Sequence, residues 1–163
     1  MKDDGDWTRW RIELTAYGEY VELSFEDIHL RSDADAARWA SELRLALSHY
    51  EHRVDVLLDL RGLHVGAKCA SCCAHLLGEL LEQHAAALAF FGADAWTLAA
   101  LEPGLGAGAL EAEGGRSRTP ALERLMSHRQ RRLAGRFPVA PHLAGAGDGV
   151  QAPGWTESGG IAL

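Results

Sequence analysis

Three thiols fall within five residues, at Cys69, Cys72 and Cys73. Cys69-x-x-Cys72 on a helix can present two thiolates to one metal ion, and His64 can reach the same end. Structural zinc needs four ligands in a tetrahedron. The sequence has no second cysteine pair and no His-x3–5-His pair to complete one. Cys-x-x-Cys-Cys also lacks the histidine that haem attachment requires. The three sulfurs run in register with Leu76, Leu77, Leu80 and Leu81, on one stripe of an amphipathic helix. Free cysteine packs as a small hydrophobe, so the expectation is core packing and no metal. A low-pKa thiol at Cys69 and a thiol-based redox or metal sensor stay open as alternatives.

The eight histidines form no HExxH motif. His49-x-x-His52 falls at a helix end, where the dipole favours a cation. His64 follows an apolar strand, the place where open α/β sheets hold ligands. Asp55 and Asp59 lie four apart on that strand, roughly 13 Å from one another at the usual rise, too far for a shared acid–base pair. Asp59 is expected to accept from backbone N–H groups of the following turn. No glycine-rich phosphate loop, Walker motif or Gly-x-Ser-x-Gly elbow occurs. Gly104-Leu105-Gly106-Ala107-Gly108 is expected to follow a helix, the wrong side for cradling phosphate. Nothing assembles a nucleophile, base and orienter, so no enzyme and no cofactor are expected.

The elements that carry these residues are legible in the periodicity. Trp7 to Leu14 and Tyr20 to Phe25 read as two strands of a hairpin around the turn 16–19. Ser32 and Asp35 make a capping box. The helix that follows runs to about Tyr50, with Ala36, Trp39, Ala40, Leu43, Leu47 and Tyr50 on its core face. Val54-Asp55-Val56-Leu57-Leu58-Asp59-Leu60 is a buried parallel strand. The cysteine–leucine helix and the strand Ala87–Phe91 complete a right-handed βαβ unit. Asp94 caps a short helix over 95–101. Thr119-Pro120 opens a last helix with Thr as cap and Pro at the first helical position, and Gly135 ends it.

With 163 residues, 47% of them hydrophobic, the chain can bury one domain's core. No run of about 18 apolar residues exists to span a membrane. The acidic start Met1-Lys2-Asp3-Asp4-Gly5-Asp6 is unlike a secretory signal, so a cytoplasmic location is expected. The net charge of −7 is unevenly spread. Residues 1–113 hold 9 Lys and Arg against 20 Asp and Glu, whereas residues 114–136 hold seven Arg against one Glu. The acidic body argues against nucleic acid. The basic segment either folds back on that body or docks elsewhere, through Arg124, Arg129, Arg131 and Arg132, with weak contact to a membrane surface as one outcome. Residues 136–163 are expected to form a flexible tail, in which Trp155 is a candidate short-motif anchor.

The order ββαβαβα, with the strand end Val56-Leu57-Leu58-Asp59-Leu60-Arg61-Gly62-Leu63, resembles the STAS family of sulfate-transporter and anti-sigma-factor-antagonist domains. The resemblance spans about residues 7–102. It implies a small mixed sheet with helices packed mainly on one face, here with a basic helix and tail appended. It includes a divergent branch that shares its fold with lipid carriers. Members of the family are mostly non-enzymatic and bind a kinase or anti-sigma factor through the loop after this strand and the start of the next helix. In phosphorylated members an Asp-Ser pair stands eight and nine residues after the strand's aspartate. Here those positions are Ala67 and Lys68, so a serine phosphoswitch is not expected.

The sequence therefore leads to four segments: a STAS-like domain over 1–102, a Gly-rich linker over 103–118, a basic helix over 119–135 and the tail. The expected function is a regulatory adaptor in bacterial-type signalling that binds a protein partner. Its expected contact residues are His64, Val65, Gly66, Ala67, Lys68, Ser71 and His75. The alternative is a carrier or sensor for an apolar small molecule, lined by Leu76, Leu80, Phe90 and Phe91.

Overall fold

The computed structural model describes residues 10–106 and 112–136. Trp7 to Arg9, the tail beyond Arg136 and Trp155 lie outside the described residues. β1 (Arg11–Ala16) and β2 (Val21–Glu26) form the hairpin, turning at Gly18 with φ +77°, a backbone angle that favours glycine. The Tyr17 N–H donates to the Tyr20 carbonyl at 2.9 Å across this turn. A three-residue strand, β3 (Ile28–Leu30), leads into α1 (Asp33–Leu47). The Asp35 N–H donates to the Ser32 hydroxyl and the Ser32 N–H donates back to the Asp35 carboxylate, so the capping box is closed.

β4 (Val54–Asp59) is the central strand, followed by β5 (Leu63–Val65), α2 (Ala70–His84), β6 (Ala85–Phe91), α3 (Ala95–Leu105), β7 (Ala112–Gly115) and α4 (Arg118–Arg136). The main sheet has the order β1-β2-β4-β6-β7. β1 and β2 are antiparallel and every other pair is parallel. β3 and β5 pair separately as a parallel ribbon. This ribbon is absent from the sequence reading because three residues carry too little periodicity to register.

The two faces of the sheet have different covers. On one, Leu23, Phe25, Val56, Leu58, Leu88 and Phe90 meet Trp39, Leu43 and Leu47 of α1 and Cys73, Leu77, Leu80 and Leu81 of α2. The Trp39 indole packs 6.0 Å from the Phe25 ring, and its N–H has no acceptor among the described residues. On the other face, Leu57, Ala87, Ala89 and Phe91 meet only Ala121 and Leu125 of α4, with Leu122 and Met126 at the margin. A bulge opposite Val54 and Asp55 inserts Ala86 into β6, which turns Ala85 and Ala87 to opposite faces.

Several expectations change. The stretch 103–118 is not simply a linker. Pro103 to Leu105 close α3, Ala112 to Gly115 add an edge strand to the sheet, and Arg118 already belongs to α4. Gly104 is a buried helix residue, not a loop glycine. A Cβ there would stand 2.1 Å from the Ala74 carbonyl oxygen, so glycine is what lets α3 approach α2. α4 starts at Arg118 and passes through Gly135, one residue beyond the expected range at either end. α1, α2 and α3 pack on the first face, as expected, and the appended α4 covers the second.

Candidate functional site

Beneath α4, strands β2 and β4 send Glu22 and Asp55 into a largely buried layer. Arg132 donates to both Asp55 oxygens at 2.7 and 2.9 Å, and Arg129 donates to Asp55 at 3.3 Å and to the Glu19 carbonyl at 2.8 Å. Arg118 grips Glu22 at 2.7–3.2 Å and the Tyr20 hydroxyl at 2.9 Å. The carboxylate hydrogen bonds hold the Arg118 guanidinium further in its charged form. The basic segment thus folds back on the acidic body. Arg129 and Arg132, expected on a docking surface, are committed to Asp55. Arg124 and Arg131 lie on the outer side of α4.

Asp59 accepts from the Arg61 backbone N–H at 3.2 Å, as the turn chemistry implies, and also from the Arg61 guanidinium at 2.5–3.1 Å. That side-chain hydrogen bond raises the Arg61 pKa further. Arg61 lies over the Phe91 ring at 5.4 Å. This ion pair fixes the strand end from which the next loop departs.

Two of the three thiols are sequestered, and Cys72 is half-buried. Cys69 and Cys73 are fully buried, and Cys69 Sγ donates to the Leu30 and Gly66 carbonyls at 3.3 and 3.4 Å. Desolvation pushes the Cys73 thiol far up, with Cys69 adding to it, and desolvation followed by the nearby Asp33 raises Cys72. Among the described residues no group of His, Cys, Asp and Glu has a metal-holding arrangement. The lining expected for an apolar ligand does not converge, since Phe90 and Phe91 are adjacent on a strand and face opposite sides.

The remaining face is built at the ends of α2 and α3. His64 is not in a loop but in β5, directly opposite His29 of β3. The imidazoles stack at 4.7 Å. His64 Nδ1 lies 3.5 Å from Asp94, the cap of α3. The Thr97 backbone N–H, donating at 2.8 Å, is the main reason the Asp94 carboxyl lies below its ordinary range, with His64 a smaller cause. Val65 is buried, so only its backbone contributes here, and its carbonyl accepts from the Trp96 indole N–H at 2.7 Å. Gly66, Ala67 and Lys68 form the turn into α2, with Ala67 and Lys68 exposed.

That hydrogen bond holds Trp96 in place while 56% of it stays exposed. The indole walls an open groove of about 810 Å3 between α2 and α3. Ala70, Ala74, Gly78, Ala99 and Ala100 keep its floor low, while Ser71, His75, Glu79, Glu82 and Pro103 form its sides. Of the expected contact residues, Ser71 and His75 therefore belong to the groove, and His64, Gly66, Ala67 and Lys68 lie at its head. Trp96 escaped the sequence reading. Its signal was present, because Thr97, Leu101, Gly104 and Leu105 make the buried stripe of α3 and Trp96 falls off it. A large aromatic off the stripe of a capped helix marks an exposed anchor.

No protein-family model matches the sequence, and no curated protein does. Solved structures that resemble the fold include the following two. One is an uncharacterised protein of the DUF3478 family with a SpoIIAA-like fold from Shewanella loihica, 17% identical, with a TM-score of 0.51 over 72% of this chain and 94% of that one. The other is a variant of RsbS from Moorella thermoacetica, 15% identical, with a TM-score of 0.49 over 74% and 98%. Strand order, the β4–β5–α2 arrangement and the likeness to the Shewanella protein agree that the chain has a SpoIIAA-like, STAS-like α/β fold.

Proposed function

We propose that the protein is a non-enzymatic interaction module, a regulatory adaptor that captures a protein partner at the head of α2 and along the α2–α3 groove. The observation that supports this most is Trp96, an indole held by the Val65 carbonyl and left open beside a floor of small residues. Ordered, exposed tryptophan beside a concave apolar surface is the usual composition of an interaction hot spot. The turn Gly66-Ala67-Lys68 offers no hydroxyl, so the reading includes no serine switch at that turn. Lys68 contributes a fixed positive charge instead.

The test starts from full-length protein as bait, with the retained partner identified and purified, and its affinity measured by calorimetry. Trp96→Ala is expected to weaken binding about 30-fold, as hot-spot truncations do. Lys68→Glu is expected to weaken it about tenfold, and Leu45→Ala, on the exposed side of α1, not at all. A partner bound equally by all forms would remove the reading.

A further inference from the structure

We infer that the α2–α3 groove selects a helical segment of its protein partner that carries Lys or Arg beside small apolar residues. This rests on the interaction reading above and adds the chemistry of the partner. The charge of the groove is one-sided along most of its length. Among the described residues Glu79 and Glu82 line it, and no Lys or Arg does. His75, 3.5 Å from Glu79, is its one basic group. The exposed Trp96 ring adds a cation-accepting surface.

The arginines that α4 gives to the sheet do not neutralise this groove. Arg118, Arg129 and Arg132 lie on the opposite face of the sheet, held by Glu22 and Asp55. Residues 137–163 contain no Lys or Arg, so that segment of the chain carries no complement to it. Lys68 stands just ahead of α2, at the far end from Glu82. The groove is therefore bipolar and favours one orientation, with the partner's positive residues toward Glu79 and Glu82. From Ala70 to Glu82 α2 spans about 18 Å, which matches roughly three turns of a helix. The floor of alanines and Gly78 admits a helix backbone closely, whereas a bulky floor would hold it off.

The experiment is selection of phage-displayed random 16-residue peptides on the full-length protein at low salt. Selected peptides are synthesised and their affinities measured by fluorescence anisotropy on wild type, Trp96→Ala and Glu79→Gln/Glu82→Gln, with circular dichroism to compare folds. Ala99→Trp, which fills the groove from an exposed position, replaces Trp96→Ala should that variant not fold. The expected peptides have net positive charge, bind about fivefold more weakly to the double glutamine variant, as two exposed ion pairs allow, and lose about 30-fold on Trp96→Ala. Neutral or acidic peptides that need Trp96 but ignore the glutamine changes would overturn the charge selection and leave the groove as the binding surface. An empty selection, or peptides indifferent to Trp96 and Ala99 changes, would overturn both.

Discussion

The two faces of the sheet are covered by different physics. On the α1–α2 face the contact is apolar and closed: Trp39, Leu43, Leu47, Cys73, Leu77 and Leu81 interdigitate with the alternate residues of β2, β4 and β6. On the α4 face two buried side chains of the helix touch the sheet with Leu122 and Met126 at the margin, and Arg118, Arg129 and Arg132 add ion pairs to Glu22 and Asp55. Hydrophobic burial is non-directional and scales with area. Ion pairs at a seam depend on geometry and on each partner's being present, and the carboxylate is the deeper member of each pair here, Asp55 at 1% side-chain exposure against 31% for Arg129 and 30% for Arg132. A helix with a thin apolar stripe can thus cover a sheet face whose strands carry acids, because each supplies what the other lacks.

The largest expected effect falls on the apolar face. Trp39→Ala should cost about 4 kcal/mol in denaturant unfolding, through transfer and cavity terms together. Trp39→Phe sharpens the point: it keeps a ring and removes the unpaired indole N–H, so its loss should be less than half as large. Equal losses would show that the N–H is satisfied in solution.

On the α4 face the effect should be smaller and asymmetric. Arg129→Met/Arg132→Met leaves Asp55 buried without a counter-charge and is expected to cost about 3 kcal/mol. Asp55→Ala leaves two arginines that can turn to water, and should cost about half that. Proteolysis or hydrogen exchange within α4 is the readout. Equal costs would mean that α4 is held by Leu125 and Ala121 rather than by its arginines.

Asp94 belongs to neither cover and calibrates both. Its cap of α3 is worth about 1 kcal/mol to Asp94→Ala. Because its folded pKa is depressed, chiefly by the Thr97 backbone N–H, that stabilisation is present above the unfolded carboxyl pKa and is lost as pH falls through the folded value. Wild type and Asp94→Ala should therefore converge in stability in the acid range below about pH 4. A constant difference down through that range would break the assignment.

The smallest effect is salt. Raising sodium chloride should increase hydrogen exchange in α4 by a few tenths of a kcal/mol and leave α1 and α2 unchanged, since screening acts on the half-exposed arginines and not on apolar contacts. Equal sensitivity of the three helices would remove the contrast between the faces.

Much of the fold was legible because period and capping are local. The Ser32–Asp35 box, the apolar β4 run, the Cys73–Leu77–Leu81 stripe and the Asp94 cap each state their element within a few residues. The candidate binding face was legible in part. Ser71 and His75 lie in the groove, but His64 was placed in a loop because Leu63–Val65 becomes a strand only through its pairing with Ile28–Leu30. Trp96 and the floor opposite it could not be joined from sequence, since the close approach of α2 and α3 needs Gly104 against the Ala74 backbone.

By itself the sequence determined the longer elements, their order and the division of charge between an acidic body and a basic segment. Tertiary structure decided which charges cancel. Whether Arg129 and Arg132 face a partner or Asp55 depends on residues more than seventy positions apart coming within 3.3 Å. No local period encodes that distance. It is set by β7 joining the sheet beside β6, which returns the chain on the side where the carboxylates of β2 and β4 already point.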